Sequence, residues 1–248
     1  MKLKVLGSGS SGNCYLLENE TECLIIEAGV SVKDLKIALN FDLQKVVGCL
    51  VTHEHGDHAK QLDKFQSLGI NCYLSKGTAS KIVNTSTHQA RIKIIKHDQA
   101  FALGNFKILP FDTRHDAAEP LGFLIMHPDC GKVLFITDSK YSDYKFVGLN
   151  NIIIEANYSN EIINSKFTSK NNKLWLSNRI LDSHLSIENC IDLLNNNDLS
   201  HINNIILIHL SDTNSNEAEF VKQIEDLTAK TVVSANKGMV IPFGRSPF

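Results

Sequence analysis

Short apolar runs alternate along this chain with turn residues and with two-sided helical stretches. Leu3 to Leu6, Asn13 to Leu17 and Cys23 to Ile26 read as strands around one glycine turn, Gly7-Ser8-Gly9-Ser10-Ser11-Gly12-Asn13. Ser31 is placed to cap a helix running to Leu39. Val46-Val47-Gly48-Cys49-Leu50-Val51-Thr52 reads as a buried strand, and Ala59 to Leu68 has helical spacing with Leu62, Phe65 and Leu68 on one face. Asn71 to Leu74 and Ile92 to Ile95 read as strands with a helix between them. Phe101-Ala102-Leu103 and Phe106-Lys107-Ile108-Leu109 flank Gly104-Asn105, a two-residue hairpin signal. Gly122 to His127 and Lys132 to Thr137 flank a second turn, Pro128-Asp129-Cys130-Gly131. Ile152 to Ile154 and Ile205 to His209 are short enough, and apolar enough, for buried strands. Ser186 caps a helix carrying Ile187, Cys190, Ile191 and Leu194, and Glu217 to Leu227 is a further amphipathic helix. Strands near Thr231 to Ser234 and Met239 to Ile241 follow, while the Asn-rich stretches 171–172 and 195–197 read as loops. The glycine turn resembles a phosphate-binding loop only on the surface. It lacks Gly-Lys-Ser/Thr, and a strand rather than a helix follows it.

Composition narrows the class. The chain has 248 residues, 43% hydrophobic and 21% charged, which is ordinary for a soluble protein. No break in composition divides it, so the expectation is one α/β domain over residues 1–248. No apolar run approaches the roughly 18 residues of a membrane span. Met1 to Leu6 leads straight into a strand pattern, with no secretory h-region or small-residue cleavage site, which points to the cytoplasm. Cys14, Cys23, Cys49, Cys72, Cys130 and Cys190 are scattered, form no Cys-x-x-Cys and lie mostly in apolar segments, so reduced core thiols are expected. The net charge of -2 gives no general pull toward nucleic acid or membrane. One segment is locally basic: no acidic residue lies between Glu161 and Asp182, while Lys166, Lys170, Lys173 and Arg179 do. It reads either as a solvated face or as a flap that contacts phosphates, with Trp175 as a base-stacking or anchoring group.

The chemistry concentrates in His53-Glu54-His55-Gly56-Asp57-His58, directly after the apolar run ending at Thr52. His53 and His55 are two apart, so on an extended stretch both imidazoles face one metal ion. Gly56 lets the chain turn, and Asp57 and His58 then reach a second ion. Imidazole with carboxylate suits zinc, manganese or iron rather than calcium. Three later residues stand where strands should end: His115, Asp138 and His209. The expected division gives His53, His55 and His115 to the first ion and Asp57, His58 and His209 to the second, with the Asp138 carboxylate bridging both.

His-x-His-x-Asp-His followed by a single His, an Asp and a final His resembles the signature of the metallo-β-lactamase superfamily, over nearly the whole chain. The glycine turn, His115-Asp116-Ala117-Ala118-Glu119-Pro120, Thr137-Asp138 and His184-Leu185-Ser186 are similar to the YycJ/WalJ branch, regarded as DNA exonucleases or phosphodiesterases related to tRNA 3′-processing enzymes. The resemblance implies a four-layer αβ/βα sandwich: two mixed β-sheets flanked by helices, with two divalent ions, zinc or manganese, at the edge of the facing sheets. It also implies that Glu155, in Ile154-Glu155-Ala156, pairs with His184 as a proton donor. The chemical reason is that a leaving alkoxide needs a proton that a carboxylate-oriented imidazole can supply. Two positions depart from the pattern. Glu27 stands where the superfamily usually has Asp, in support of the His loop. Ser139-Lys140 stands where the branch tends to have a glycine.

Hydrolysis by a hydroxide held between two metals is the implied reaction, with Asp57, His184 and Glu155 as the catalytic residues. Some lactam-hydrolysing members use Cys in the position of Asp138. A bridging Asp favours phosphodiesters or thioesters instead. Three readings stay open from the sequence: a phosphodiesterase or nuclease acting on nucleic acid or a small phosphodiester; a hydrolase of a cyclic-phosphate, thioester or lactam-like substrate; and a metal-binding sensor without turnover.

Overall fold

The computed structural model describes residues 1–82, 87–167 and 181–246. One sheet contains β1 (Lys2–Gly7), β2 (Cys14–Glu18), β3 (Cys23–Ile26), β4 (Val46–Leu50), β5 (Cys72–Leu74), β6 (Ile92–Ile94) and β14 (Val240–Pro242). The other contains β7 (Phe101–Leu103), β8 (Phe106–Asp112), β9 (Leu121–His127), β10 (Gly131–Ile136), β11 (Asn151–Glu155), β12 (Asn204–Ile208) and β13 (Thr231–Ser234). The helices are α1 (Val32–Ala38), α2 (Gly56–Ala59), α3 (Leu62–Ser67), α4 (Lys76–Ile82), α5 (Asn160–Phe167), α6 (Ile187–Asn195) and α7 (Glu217–Thr228). None of the described helices is long and apolar enough to cross a membrane.

The layering follows from alternation within the apolar runs. Val133, Phe135, Ile153, Ile206 and Ile208 point to the face shared with Leu3, Val5, Tyr15, Leu17 and Leu24 of the first sheet. Their neighbours Leu134, Ile136, Ile152, Ile154, Ile205 and Leu207 point outward, against Ile187, Cys190 and Leu194 of α6 and Phe220 and Ile224 of α7. On the first sheet the outward set, including Cys14, Leu16, Ile25 and Cys49, meets Leu35 of α1 and Leu62 and Phe65 of α3. Both faces of the central strands are therefore dry, which is why those strands read as continuous apolar runs, while Lys107 of β8 and Met126 of β9 are exposed. The result is two mixed sheets, face to face, with helices outside both.

The strand order is β14-β1-β2-β3-β4-β5-β6 in one sheet and β13-β12-β11-β10-β9-β8-β7 in the other. β3 to β6 are mutually parallel, as are β10 to β13. β8 is antiparallel to β9 and β9 to β10, so β8 runs with β10. The carboxyl ends of β3, β4, β8, β10, β11 and β12 thus carry the residues after them to one rim. The first sheet closes where Lys2 of β1 pairs with Pro242 of β14.

Three local expectations change. The helix placed over Ala59 to Leu68 starts at Gly56 and breaks at Lys60-Gln61. Ala28 causes the break: its N–H donates to His58 O (2.7 Å) and its carbonyl accepts from Gln61 N (2.9 Å), taking two groups out of the helical ladder. Asn195 ends α6 rather than opening a loop, with Asn196 as its C-cap. The pattern also missed α5, whose adjacent Ile162 and Ile163 give no clear stripe. The caps are as expected: Ser31 Oγ accepts from Asp34 N and Ser186 Oγ from Asn189 N, each at 3.1 Å. All six cysteines are buried and free.

Candidate metal centre

Three stretches of backbone lock together under the histidine motif. Asn13 N donates to Asp57 O (2.8 Å), and Gly29 N donates to Asn13 O (3.0 Å). This close approach needs glycine, because a Cβ at Gly29 would lie 1.8 Å from Asp57 O. The glycine turn therefore cradles the motif, and its role is to place Asn13. The buried Asn13 side chain accepts from Gly9 N (2.7 Å), and its amide lies 3.4 Å from Asp57 Oδ2 and 3.2 Å from His58 Nε2.

The ring nitrogens divide into supported and inward-facing sets. His53 Nδ1 lies 2.9 Å from Thr52 Oγ1, whose hydroxyl donates to Glu27 Oε1 (2.6 Å), while the buried His53 Nε2 has no partner. His115 Nδ1 donates to Ser183 O (2.7 Å), which leaves the lone pair on Nε2, 3.1 Å from His55 Nδ1. His53, His55 and His115 present nitrogens within 4.8 Å of one another. A second set, Asp57, His58 and His209, does the same, with His209 Nε2 at 3.0 Å and His58 Nε2 at 3.3 Å from Asp57 Oδ2. Asp138 stands between them. It groups with His53 and His58, and its Oδ2 lies 2.8 Å from His58 Nε2. Glu27, which also lies 3.2 Å from His58 Nδ1, supports both sets from beneath. Glu27, Asp138 and His209 all adopt left-handed backbone, at φ of 70°, 48° and 55°, directly past strand ends. Such strain in non-glycine residues persists only where packing over-determines it.

Protonation matches a cation site. Burial, reinforced by the neighbouring histidines, holds His53 well below the usual imidazole range, and burial also lowers His115. Burial acts to raise Asp57 and Asp138, but hydrogen bonds and charge from His209 and His58 outweigh it and hold both carboxyls below the usual range. His58 is raised well above its ordinary value and His209 to about 9, because the carboxylates overcome burial. A divalent ion bound among these carboxylates would displace such protons. The orphaned His53 nitrogen, the neutral His53 and His115 rings and the ionised Asp57 and Asp138 carboxylates therefore fit divalent ions.

His184 lies beside this cluster. Its Nδ1 is 2.7 Å from Glu155 Oε1 and 2.9 Å from Asp138 Oδ1. Burial opposes its charge, but Glu155 and Asp138 push its pKa up to about 11. Glu155 is fully buried and also lies 3.0 Å from His209 Nδ1. A cleft of about 430 Å³ opens over these groups, bordered by His55, Asp57, His115, Asp138, His184 and His209, with Ser10, Asn157 and Ser211 at its margin.

The residues read from the sequence for the metal sets and the Glu155–His184 pair thus gather at one cleft. Lys166 does not line it: its ammonium bonds to Thr213 O and Asn214 Oδ1 (2.8 Å to the latter). Lys170, Lys173, Arg179 and Trp175 lie outside the described residues. Lys140 pairs with Asp182 at 2.7 Å. Sequence reasoning missed Asn13, Thr52, Asn157 and Glu54. Asn157 donates to His209 O (2.7 Å), and Glu54 accepts from Ala118 N (2.8 Å), tying down the loop that carries His115. Only Thr52 and Glu54 had a signal, by adjoining or lying within the motif.

Residues 24–210 match the family model of the beta-lactamase superfamily domain. The chain belongs to that superfamily. It is a metal-dependent hydrolase of the family, a family whose fold implies divalent-metal binding, and the clusters above offer donor atoms for it. Among curated relatives it is 28% identical over 258 residues to Exodeoxyribonuclease WalJ of Streptococcus pneumoniae serotype 2, covering 98% of this chain and 92% of the relative. It is 30% identical over 175 residues to Exodeoxyribonuclease YycJ of Bacillus anthracis, covering 66% and 65%. In fold it is similar to the metallo-beta-lactamase fold protein YhfI of Bacillus subtilis, with a TM-score of 0.71 at 17% identity over 96% of this chain and 98% of that one.

Proposed function

We propose that this superfamily hydrolase is a phosphodiesterase that degrades DNA as an exonuclease. The observation that carries the reading is the buried Glu155 holding His184 at 2.7 Å on the wall of the metal cleft. A thioester expels a thiolate, which leaves without a proton, whereas a sugar alkoxide needs such a donor. The similarity to two exodeoxyribonucleases supports DNA as the substrate class.

His53, His55 and His115 would hold one ion and Asp57, His58 and His209 the other, with Asp138 between them. When bound, two divalent ions, zinc or manganese, supply water activation and neutralise phosphate charge. The protein's own part is positioning and proton transfer. Thr52 and Ser183 fix the tautomers of His53 and His115, leaving the opposite nitrogens free. Asp57, which borders the cleft, accepts a hydrogen bond from the attacking water and aligns it with phosphorus. Glu155 and Asp138 bind His184 Nδ1, so Nε2 donates its proton to the leaving oxygen. Six free buried thiols suit work in a reducing compartment such as the cytoplasm.

The test is a side-by-side assay of purified protein, loaded with manganese or zinc. The substrates are single-stranded DNA, RNA, bis-p-nitrophenyl phosphate and a chromogenic β-lactam. Progressive shortening of DNA from one end is the expected result. Turnover of the lactam with none of the phosphodiesters would overturn the reading.

A further inference from the structure

Arg114 and His115 are consecutive, yet they border different cavities. His115 borders the metal cleft; Arg114 borders a neighbouring hollow of about 160 Å³, together with Asp112, Tyr141, Ser142, Asp143 and Tyr144. The second wall is shared in the same way, since Asp138 borders the cleft and Tyr141, three residues on, the hollow. The strand ends are stitched together: Arg114 N donates to Ser139 Oγ (3.1 Å) and Lys140 N to Arg114 O (2.8 Å). One thickness of backbone therefore separates the hollow from the metal ligands.

Its chemistry differs from that of the cleft. Two carboxylates and one guanidinium line it, a poor match for phosphate but a good one for a neutral group with donor and acceptor edges. Two exposed aromatic rings stand there, Tyr141 at 42% and Tyr144 at 36%. Tyr144 is braced: its hydroxyl donates to Asp112, and its ring packs against Phe111 (5.3 Å), which packs on Phe146 (5.1 Å). The Asp112 bond and burial push its pKa up to about 12, so the hydroxyl stays protonated. Tyr141 is fixed at its backbone, where its carbonyl accepts from Ser139 Oγ (2.8 Å).

Resting on the nucleic-acid reading above, we infer that this hollow is a nucleobase subsite for a nucleotide adjoining the cleaved phosphodiester. A base stacks on Tyr141 against the braced Tyr144. Asp112, Asp143 and Arg114 then offer acceptors and donors to its edge. The subsite demands an unpaired base, so the structure assigns single strands or frayed ends as the form of substrate taken.

The test combines Tyr141→Ala with an abasic scan. Single abasic positions are moved one at a time away from the end of a single-stranded oligonucleotide attacked by the metal-loaded enzyme. Tyr141→Ala should raise KM for the intact oligonucleotide about 5- to 100-fold, the range expected for one lost stacking contact, with kcat little changed. Tyr141→Phe, which keeps the ring, should restore KM. One abasic position should impose the same KM penalty on wild type and no further penalty on Tyr141→Ala. Retained turnover of bis-p-nitrophenyl phosphate shows that the variant is folded. Unchanged KM in Tyr141→Ala, or abasic penalties equal in both proteins, would overturn the subsite while leaving the nuclease reading intact. A wild type that hydrolyses bis-p-nitrophenyl phosphate but cuts neither single-stranded nor duplex DNA would overturn both.

Discussion

At the scale of single residues, the proton donor is the most exposed part of the proposal. His184→Ala should lose about 10²–10⁴-fold in rate on nucleic-acid phosphodiesters, whose alkoxide leaving group needs a proton. It should lose far less on p-nitrophenyl esters, because p-nitrophenolate leaves unprotonated. Glu155→Gln should show the same contrast more weakly, and equal losses on both substrates would assign His184 to binding or support instead. The carboxylate beneath the metal sets makes a separate case. Glu27 reaches His53 through Thr52 and lies against His58, so Glu27→Gln should weaken metal binding about 10- to 100-fold. Competition with a chromogenic chelator reads that directly, and an unchanged affinity would remove Glu27 from the site. The seven positions whose donor atoms gather here could be picked out in the sequence because four crowd into six residues and three stand just past strands. Asn13 and Asn157 were not legible. Asparagine is common in turns, and both gain meaning only when the loops beside β2 and β11 are brought against Asp57 and His209.

At the scale of elements, charge ties the first sheet's far end. Glu18, closing β2, pairs with Lys4 of β1 and with Lys45 ahead of β4. Burial would raise its pKa, but the hydrogen bonds from the two lysines outweigh burial and set it below the usual 4.5. A carboxyl lowered on folding stabilises the protein above its unfolded pKa, and that contribution is lost as pH falls through the folded value. Wild type should therefore melt higher than Glu18→Gln at pH 7, with the gap closing below about pH 4. A gap independent of pH would show that the lysines do not hold the charge. Most strands were readable within a residue or two, since their apolar runs are bounded by glycine, asparagine or proline. The break between α2 and α3 was not, because its cause, the carbonyl and N–H of Ala28, lies some thirty residues upstream. Local pattern cannot report a competitor for hydrogen bonds that arrives from another strand.

At the scale of the whole molecule, each metal set draws on both sheets. His53, His55, Asp57 and His58 follow β4 of one sheet, and His115, Asp138 and His209 follow β8, β10 and β12 of the other. Ions held by these sets would clamp the sheets at their shared rim. Free metal at 100 times its Kd should stabilise the fold by about 2.7 kcal/mol for each ion bound, each worth roughly 5–10 °C in Tm for a chain of this size. Calorimetry with and without a chelator checks this, and an unchanged Tm would mean that the folded protein binds no metal in preference to the unfolded chain. The α/β alternation was legible, whereas the stacking of two sheets came from family resemblance, because strand order is not written in hydrophobic period. One pairing least visible in the sequence is that of β1 with β14. During synthesis β1 emerges early and waits with an unpaired edge until residues 240–242 appear. Those residues are positioned by sheet two, whose Asn204 and Asn151 bind the carbonyls of Pro242 and Gly244. The first sheet therefore cannot finish before every strand of the second has been synthesised. Until then the nascent chain exposes a strand edge open to aggregation, and folding should be slow for its length.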